Sequence, residues 1–426
     1  MTAAAPTIAA PLAADARPRP GCASPALSFA EARALIDGFG PVAGVERLRP
    51  EDAAGRVLAE PVLAMRDTPA RDLAAMDGFA IAATVPGGRR IFRIEGRSLP
   101  GEPPPPPLTP GGACRVTTGA ALPANAARVV IDEQAVRADR GVALTVSPAD
   151  KPHIRRRASD FAAGDAVLAA GMRLSPMALV TAVASGQREV VVRRRPRVAI
   201  LATGDELLAT GAAHSHPHAI PDSVTPAVVA MLAAAGATVA AIVHLPDARH
   251  AIERALAARL GPRGEAEQID AVVITGGASR GDRDFARQAA AGAGARTVFA
   301  GVAMKPGKPV WCARLNERPI VGLPGNPTAA LTVARLFLPP LIGRLQGCAT
   351  AAAGEEWTAL PLARAVPANG SREAFLLASL DGGRVDLARR QEASGQRAIA
   401  RATHLVRRAP GAPQASAGAT VETLRI

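Results

Sequence analysis

Tyrosine is absent from this 426-residue chain, lysine occurs only at 151, 305 and 308, and asparagine only at 125, 316, 326 and 369. Aromatic residues make up 3% of it, nine Phe and two Trp. Stacking platforms for unpaired bases are therefore scarce. The formal charge of +13 comes from 50 basic residues, 47 of them arginines scattered along the chain. That bias toward Arg, Ala, Gly and Pro looks like pressure toward GC-rich codons, so the charge does not by itself mark a nucleic-acid surface, and no nucleic-acid partner is expected. Cys22, Cys114, Cys312 and Cys348 lie far apart, with no CxxC pair and no histidine at zinc-ligand spacing. They read as free thiols in a reducing compartment, which points to the cytoplasm. The first residues lack the basic n-region of a signal peptide. The longest uncharged run, Pro226 to Leu245, is broken by Gly236 and changes from helical to β-branched character. A soluble helix, a Gly cap and a strand explain it better than a membrane span.

What is present divides the chain into several units, as its length predicts. Residues 1–26 read as a disordered tail. Residues 27–60 and 151–195 read as a helical and linker domain, with Ser28 and Glu31 at capping-box spacing and one or two helices in 27–60, the first in SFAEARALIDGFG and a second in RPEDAAGRVLA. Residues 61–150 hold short β runs between Pro/Gly punctuation and read as a β-rich insertion in which GEPPPPPLTPGG forms a stiff polyproline turn or linker. Residues 196–345 alternate apolar strands (198–202, 237–243, 271–275, 297–302, 310–313, 319–323) with helices (223–235, 247–260, 283–293, 327–345). This predicts a doubly wound α/β domain with a parallel sheet. Residues 350–426 return to short strands and suit a small β-barrel or sandwich. The overall expectation is a multidomain α/β protein.

Polar residues of the 196–345 domain fall at strand ends, where such folds bind ligands. The first strand runs into Thr203, Gly204, Asp205 and Glu206; the third into Gly276, Gly277, Ala278 and Ser279; the last into Pro324, Gly325, Asn326 and Pro327. Glycines there let backbone N–H groups approach an anion, and a following helix N-terminus favours negative charge. Lys305-Pro306-Gly307-Lys308-Pro309 holds two of the three lysines on a proline-stiffened loop, which suits an oxyanion better than decoration. Asp77, Asp160, Asp205, Glu206, Asp247 and Asp284 supply carboxylates; beside a phosphate site they make sense with a hydrated divalent cation between. The triple arginine 155–157 is either a solvated face or, with Asp160, a phosphate clamp.

In order, AMDGFA, RVTTGA, RVVIDEQ, RRRASD, RVAILATGDEL, VVITGGASRGDRDF, MKPGKP and GLPGNP make the chain, over about 28–426, resemble the molybdenum-insertion enzymes of molybdenum cofactor biosynthesis, molybdopterin molybdenumtransferase. The resemblance implies a four-domain subunit working as a homodimer, with the site between the α/β domain of one subunit and the β-rich domain of the other. It implies conversion of adenylylated molybdopterin and molybdate to molybdenum cofactor, with release of AMP, a requirement for Mg²⁺, and other proteins of the same pathway as partners. It implies catalytic roles for Asp77, Asp160, Glu206, Asp247 and Asp284, with Asp205, Glu206 and Asp247 toward the cation. Substrate contacts are implied for Thr118, Gly204, Gly276, Gly277, Ser279, Lys305, Lys308, Pro324, Gly325, Asn326, Pro327, Arg372 and Ser394. The chain departs from the family pattern at Ala158-Ser159, at Val224 after Asp222-Ser223, at Ala248 and at Thr328-Ala329. An active, divergent enzyme is expected; a non-catalytic molybdopterin-binding scaffold is the alternative.

Overall fold

The computed structural model describes residues 26–42, 44–82, 88–139, 141–146, 151–208, 218–261, 268–276, 285–349, 356–392 and 395–426. Its helices are α1 (Phe29–Asp37), α2 (Pro176–Ala184), α3 (Val224–Ala234), α4 (Arg249–Leu260), α5 (Ala286–Gly292), α6 (Pro327–Leu345) and the single turn α7 (Gln396–Ile399). Helix α1 starts on the expected capping box: the Ser28 side chain accepts from Glu31 N–H while Glu31 accepts from Ser28 N–H. The second helix expected before residue 60 does not form. Pro50 opens only a 3₁₀ turn to Asp52, and Gly55 at φ +71° turns the chain toward extended backbone. That backbone pairs with distant segments: Val45–Leu48 with Val190–Arg193, Val62–Leu63 with Ala166–Leu168, and Leu73–Ala74 with Ile154–Arg155. The two halves of the linker region thus share one core, including Leu58, Leu168, Leu174, Ala182 and Val192.

The β-rich region forms a six-stranded sheet in the order Ala126–Ile131, Gly78–Ala82, Gly112–Val116, Gly88–Ser98, Gly141–Val146, Ala135–Ala138. Its long strand Gly88–Ser98 runs parallel to Gly112–Val116. Two sequence-adjacent parallel strands need a crossover, and the proline-rich stretch supplies it, fixed at its far end where the Asn125 side chain brackets Leu108 N–H and C=O.

The central sheet has the order Thr238–Leu245, Arg197–Thr203, Ala271–Thr275, Arg318–Leu323, Trp311–Leu315, Arg296–Ala300. The first four strands are parallel, as expected from their near-continuous apolar runs. Trp311–Leu315 departs from the all-parallel expectation and runs antiparallel to both neighbours. The reason is local: Asn316 and Glu317 both adopt positive φ (49° and 62°), the conformation of a two-residue hairpin. One face is covered by α1, α3 and α6, the other by α4 and α5. Chain order places the second strand on one side of Arg197–Thr203 and the third on the other, so the crevice at the topological switch opens at Gly204 and Gly276.

The run Pro226–Leu245 resolves into α3, a Gly turn and the edge strand. Among the described residues, the one helix long and apolar enough to cross a membrane is α6; 78% of its apolar window is buried inside the protein, where it separates the central sheet from the C-terminal sheet. That last sheet orders Met304–Lys305, Glu373–Asp381, His404–Arg408, Thr420–Arg425 and Trp357–Pro361, with Arg384–Leu387 on Glu373–Asp381. Leu362 bridges back to Val385.

Arg173 ties the linker region to the central unit. It donates to Gln346 Oε1 (2.6 Å), to Gly55 O (2.9 Å) and to Ala235 O (3.4 Å), and Gln346 is itself buried and donates to Gly236 O. Replacing Arg173 with Met is expected to cost about 1–3 kcal/mol, since it strands the Gln346 amide oxygen. Urea unfolding would read this as a lower midpoint with an unchanged slope.

Candidate functional site

Three strand ends converge as the glycine spacing predicts. At Gly276 (φ +85°) an added Cβ would lie 2.3 Å from Thr203 O, so the first and third loops touch backbone to backbone. At Gly325 the nearest neighbour of such a Cβ is Gly276 Cα at 3.8 Å, which brings in the loop after the last strand. Glu206 folds its carboxylate over Gly204, and Asp205 Oδ1 accepts from Asp247 N–H at 3.1 Å. Asp205, Glu206, Gly325 and Asn326 are exposed at this edge, while Pro324 is buried behind them. Asn326 caps α6 without a side-chain hydrogen bond, and Pro327 occupies the first turn. The helix's first N–H groups therefore receive no cap from the Asn326 side chain, and an anion is what such groups favour.

Helix α6 also carries the lysine loop. Gly307 (φ +104°) lies so close that a Cβ would stand 2.4 Å from Val333 Cγ2, one turn and a half into the helix. Lys305 and Lys308 are both exposed. Lys305 is also the end of a two-residue strand paired in parallel with Glu373–Ala374, and Arg372 donates to Met304 O at 3.4 Å. The C-terminal sheet thereby holds the lysine loop, and a cavity of about 420 Å³ opens there, lined by Lys305, Arg364, Asn369, Gln391 and Arg408 among others. Arg408 is buried, and its Nε has no hydrogen-bond partner among the described residues. A buried, unpaired guanidinium N–H in one cavity with the exposed Lys305 describes an anion site.

Asp77 and Thr118 meet in the β-rich sheet. The Asp77 Oδ1 accepts from Thr118 N–H (2.7 Å) and Thr118 Oγ1–H (2.8 Å). These two bonds, the backbone one first, and then the nearby Arg115 charge hold the Asp77 carboxyl below the ordinary value of 3.8. Arg115 pairs with Asp132 through both terminal nitrogens, donates to Gly78 O and lies over Phe79 at 5.1 Å from the ring centre. Gly78 is obligatory for space: a Cβ would fall 2.0 Å from Val130 O on the adjoining strand. Thr118→Val removes one donor to Asp77. Because the shift is downward, its loss moves carboxylate protonation to higher pH. The acid limb of a kcat/KM profile that depends on Asp77 is expected to rise accordingly, with the alkaline limb unmoved.

The triple arginine does not form a free clamp. Arg156 donates to Asp72 Oδ2 (2.6 Å), Arg157 N–H to Asp72 Oδ1 (2.8 Å), and Arg157 Nε–H to Asp67. Asp160 sits exposed on the same turn, where its own N–H donates to Thr68 O. The loop is thus an ordered surface turn in which Arg156 and Arg157 are already shared with Asp72 and Asp67. Gly277, Ser279, Asp284 and Ser394 lie outside the described residues.

Sequence reasoning passed over Asp222 except as part of a departing motif. It is buried, accepts from Val224 and Thr225 N–H at the start of α3, and pairs with exposed His244 at 3.1 Å. Burial pushes its carboxyl up, but the hydrogen bonds from Thr225 and His244 outweigh this and hold it below 3.8. Neighbouring Ser223 accepts from Gln396 of α7 at 3.4 Å, which joins the C-terminal unit to the same edge. An Asp-Ser pair just ahead of the apolar run from Val224 was the available signal.

Comparison with known proteins bears on this arrangement. The family described as "MoeA N-terminal region (domain I and II)" matches residues 27–186, and that described as "Probable molybdopterin binding domain" matches residues 199–344. A molybdopterin molybdenumtransferase of Synechococcus elongatus is 32% identical over 387 residues, 89% of this chain and 94% of that protein. One from Haemophilus influenzae is 33% identical over 304 residues, 71% of this chain and 73% of that protein. Among solved structures, the molybdopterin biosynthesis moeA protein of Pyrococcus horikoshii superposes with a TM-score of 0.72 at 25% identity, over 94% of this chain and 99% of that one.

Proposed function

Since the chain belongs to the molybdopterin molybdenumtransferase family and is thus a transferase of molybdenum cofactor biosynthesis, we propose that it inserts molybdenum from molybdate into adenylylated molybdopterin and releases AMP. The observation that carries this is the contact of the Gly204, Gly276 and Gly325 loops at the N-terminus of α6, with Lys305 and Lys308 on a loop packed against the same helix at Val333. The substrate's phosphates take the glycine edge, where fixed N–H dipoles stabilise charge on the breaking phosphoanhydride. Molybdate takes the basic cavity at Lys305, beside Arg372 and Arg408.

Asp205, Glu206 and Asp247 present hard oxygen donors beside the phosphate edge, and they fit Mg²⁺ of the kind that draws most of its ligands from phosphate and water. Among the described residues no three carboxylate, His or Cys side chains gather into a group that could hold a metal by themselves, so in this reading the substrate's phosphates supply the remaining ligands. When bound, the cation supplies charge neutralisation at the phosphates. Asp77, held ionised by Thr118, and Asp160 complete the acidic set from the β-rich and linker regions.

The working unit in this reading is a cytoplasmic homodimer in which the Asp77 region of one copy faces the glycine edge of the other. Helix α2 supports it: Met177, Val180 and Val183 are spaced along one face and exposed at 76%, 68% and 53%, and Met65, exposed at 64%, stands at its end where Met65 N–H donates to Ser185 O. An apolar face of this kind marks a protein interface. The reading is tested by incubating the purified protein with adenylylated molybdopterin, Mg²⁺ and molybdate and following AMP. Molybdate-dependent AMP is expected; tight binding of the pterin without AMP above background would overturn it.

A further inference from the structure

A second cavity, of about 430 Å³, lies in the β-rich unit and is lined by Arg71, Leu73, Glu102, Pro103, Pro104 and Ala121. Its position is tied to Asp77. Gly119, which also lines it, donates its N–H to Ala74 O, and Ala74 N–H donates to Ala120 O. The turn from Thr117 to Ala121 therefore presents Thr118 to Asp77 on one side and closes this cavity on the other.

The wall is rigid for covalent reasons. Consecutive prolines fix φ and lack N–H groups. The turn before them is locked: Glu102 N–H donates to Leu99 O (3.2 Å) and Glu102 Oε2 accepts from Leu99 N–H (2.9 Å). Glu102 Oε1 and the Arg71 guanidinium have no hydrogen-bond partner among the described residues. The cavity thus offers flat apolar faces from proline, leucine and alanine, with one carboxylate and one guanidinium at its rim. Without tyrosine, the chain has few rings to stack on, and proline faces take that part.

This combination is the complement of a fused heteroaromatic ring with a donor–donor–acceptor edge. Two adjacent N–H groups suit a carboxylate, and a neighbouring carbonyl suits a guanidinium. The aminopyrimidinone edge of a pterin has that pattern: the 2-amino group and N3–H donate, the C4 oxygen accepts. The volume falls in the range of small-molecule sites. We propose that this cavity seats the pterin ring of the substrate, with Glu102 taking the 2-amino and N3–H donors and Arg71 the C4 oxygen. The inference rests on the function proposed above, which makes the substrate a pterin, and extends it to the residues that select the ring.

The test titrates the full-length protein with fluorescent 6-hydroxymethylpterin phosphate and with the matching lumazine phosphate, which lacks the 2-amino group. The wild type is expected to favour the pterin by roughly tenfold or more. Glu102→Gln should weaken pterin binding by a similar factor and erase the preference, while Arg71→Met weakens both ligands. Binding of labelled AMP, a probe of the glycine edge, and the unfolding temperature should not move in either variant. Wild-type indifference between the two ring systems, or pterin binding unchanged in both variants, overturns the proposal. If Glu102→Gln fails to fold, Arg71→Met decides alone by the same criterion. AMP release by the wild type separates the two readings. Release together with an unchanged pterin KM in both variants sinks the cavity assignment and leaves the function standing. Absence of release sinks the function, while the titration still decides the cavity.

Discussion

Lys305→Ala is expected to raise the molybdate concentration needed for half-maximal AMP release by about tenfold to a hundredfold, the loss of one charge-assisted contact of about 1.5–3 kcal/mol. The unfolding midpoint should barely change, because the side chain is exposed and the loop is held by backbone pairing with Glu373–Ala374 and by Gly307 against Val333. Lys305→Arg should rescue only in part: the charge is kept, but a planar fork replaces a compact ammonium on a loop that two prolines cannot re-aim. A variant that unfolds, or one whose molybdate dependence matches wild type, would show the loop to be structural.

Gly276→Ala should be more damaging to turnover. Its φ of +85° disfavours any side chain by about 1–2 kcal/mol, and the new methyl would stand 2.3 Å from a backbone oxygen of Thr203. Neither backbone can yield without moving Gly204 or the edge that follows. A displacement near 1 Å at such a site costs on the order of a hundredfold in rate. Gly325→Ala is the control, since its Cβ would meet nothing closer than 3.8 Å and its φ is not positive. Steady-state AMP release from both variants, with circular dichroism to confirm the fold, distinguishes a precise backbone contact from a general intolerance of the loop.

Much of this edge was legible because it depends on local rules. Apolar runs of strand length followed by glycine and small polar residues locate strand ends, and a parallel sheet puts those ends together. The capping box at Ser28 and the Pro327 start of α6 are equally local. What escaped was pairing at long range. Nothing in RPEDAAGRVLA signals that Leu58 will bridge Val192, and its helical look is overridden by that pairing. Arg156 and Arg157 look free until Asp72 and Asp67, more than 80 residues earlier, arrive beside them. The antiparallel strand Trp311–Leu315 follows from two residues of positive φ, and Asn-Glu is a weak cue for that conformation. The docking of the lysine loop on the C-terminal sheet, where Met304 O accepts from Arg372, 68 residues on, belongs to the same class.

Because arginine has replaced lysine almost everywhere, the exposed pair on the 305–309 loop holds most of the lysine amine chemistry of the molecule. Only Lys151, also exposed, shares it. An amine-selective acylating reagent would therefore report on this loop nearly in isolation, and molybdate in the cavity beside it should slow the labelling at 305 and 308 while leaving 151 as an internal reference. Each of the three lysines precedes a proline, so peptides for the measurement are best cut at arginine.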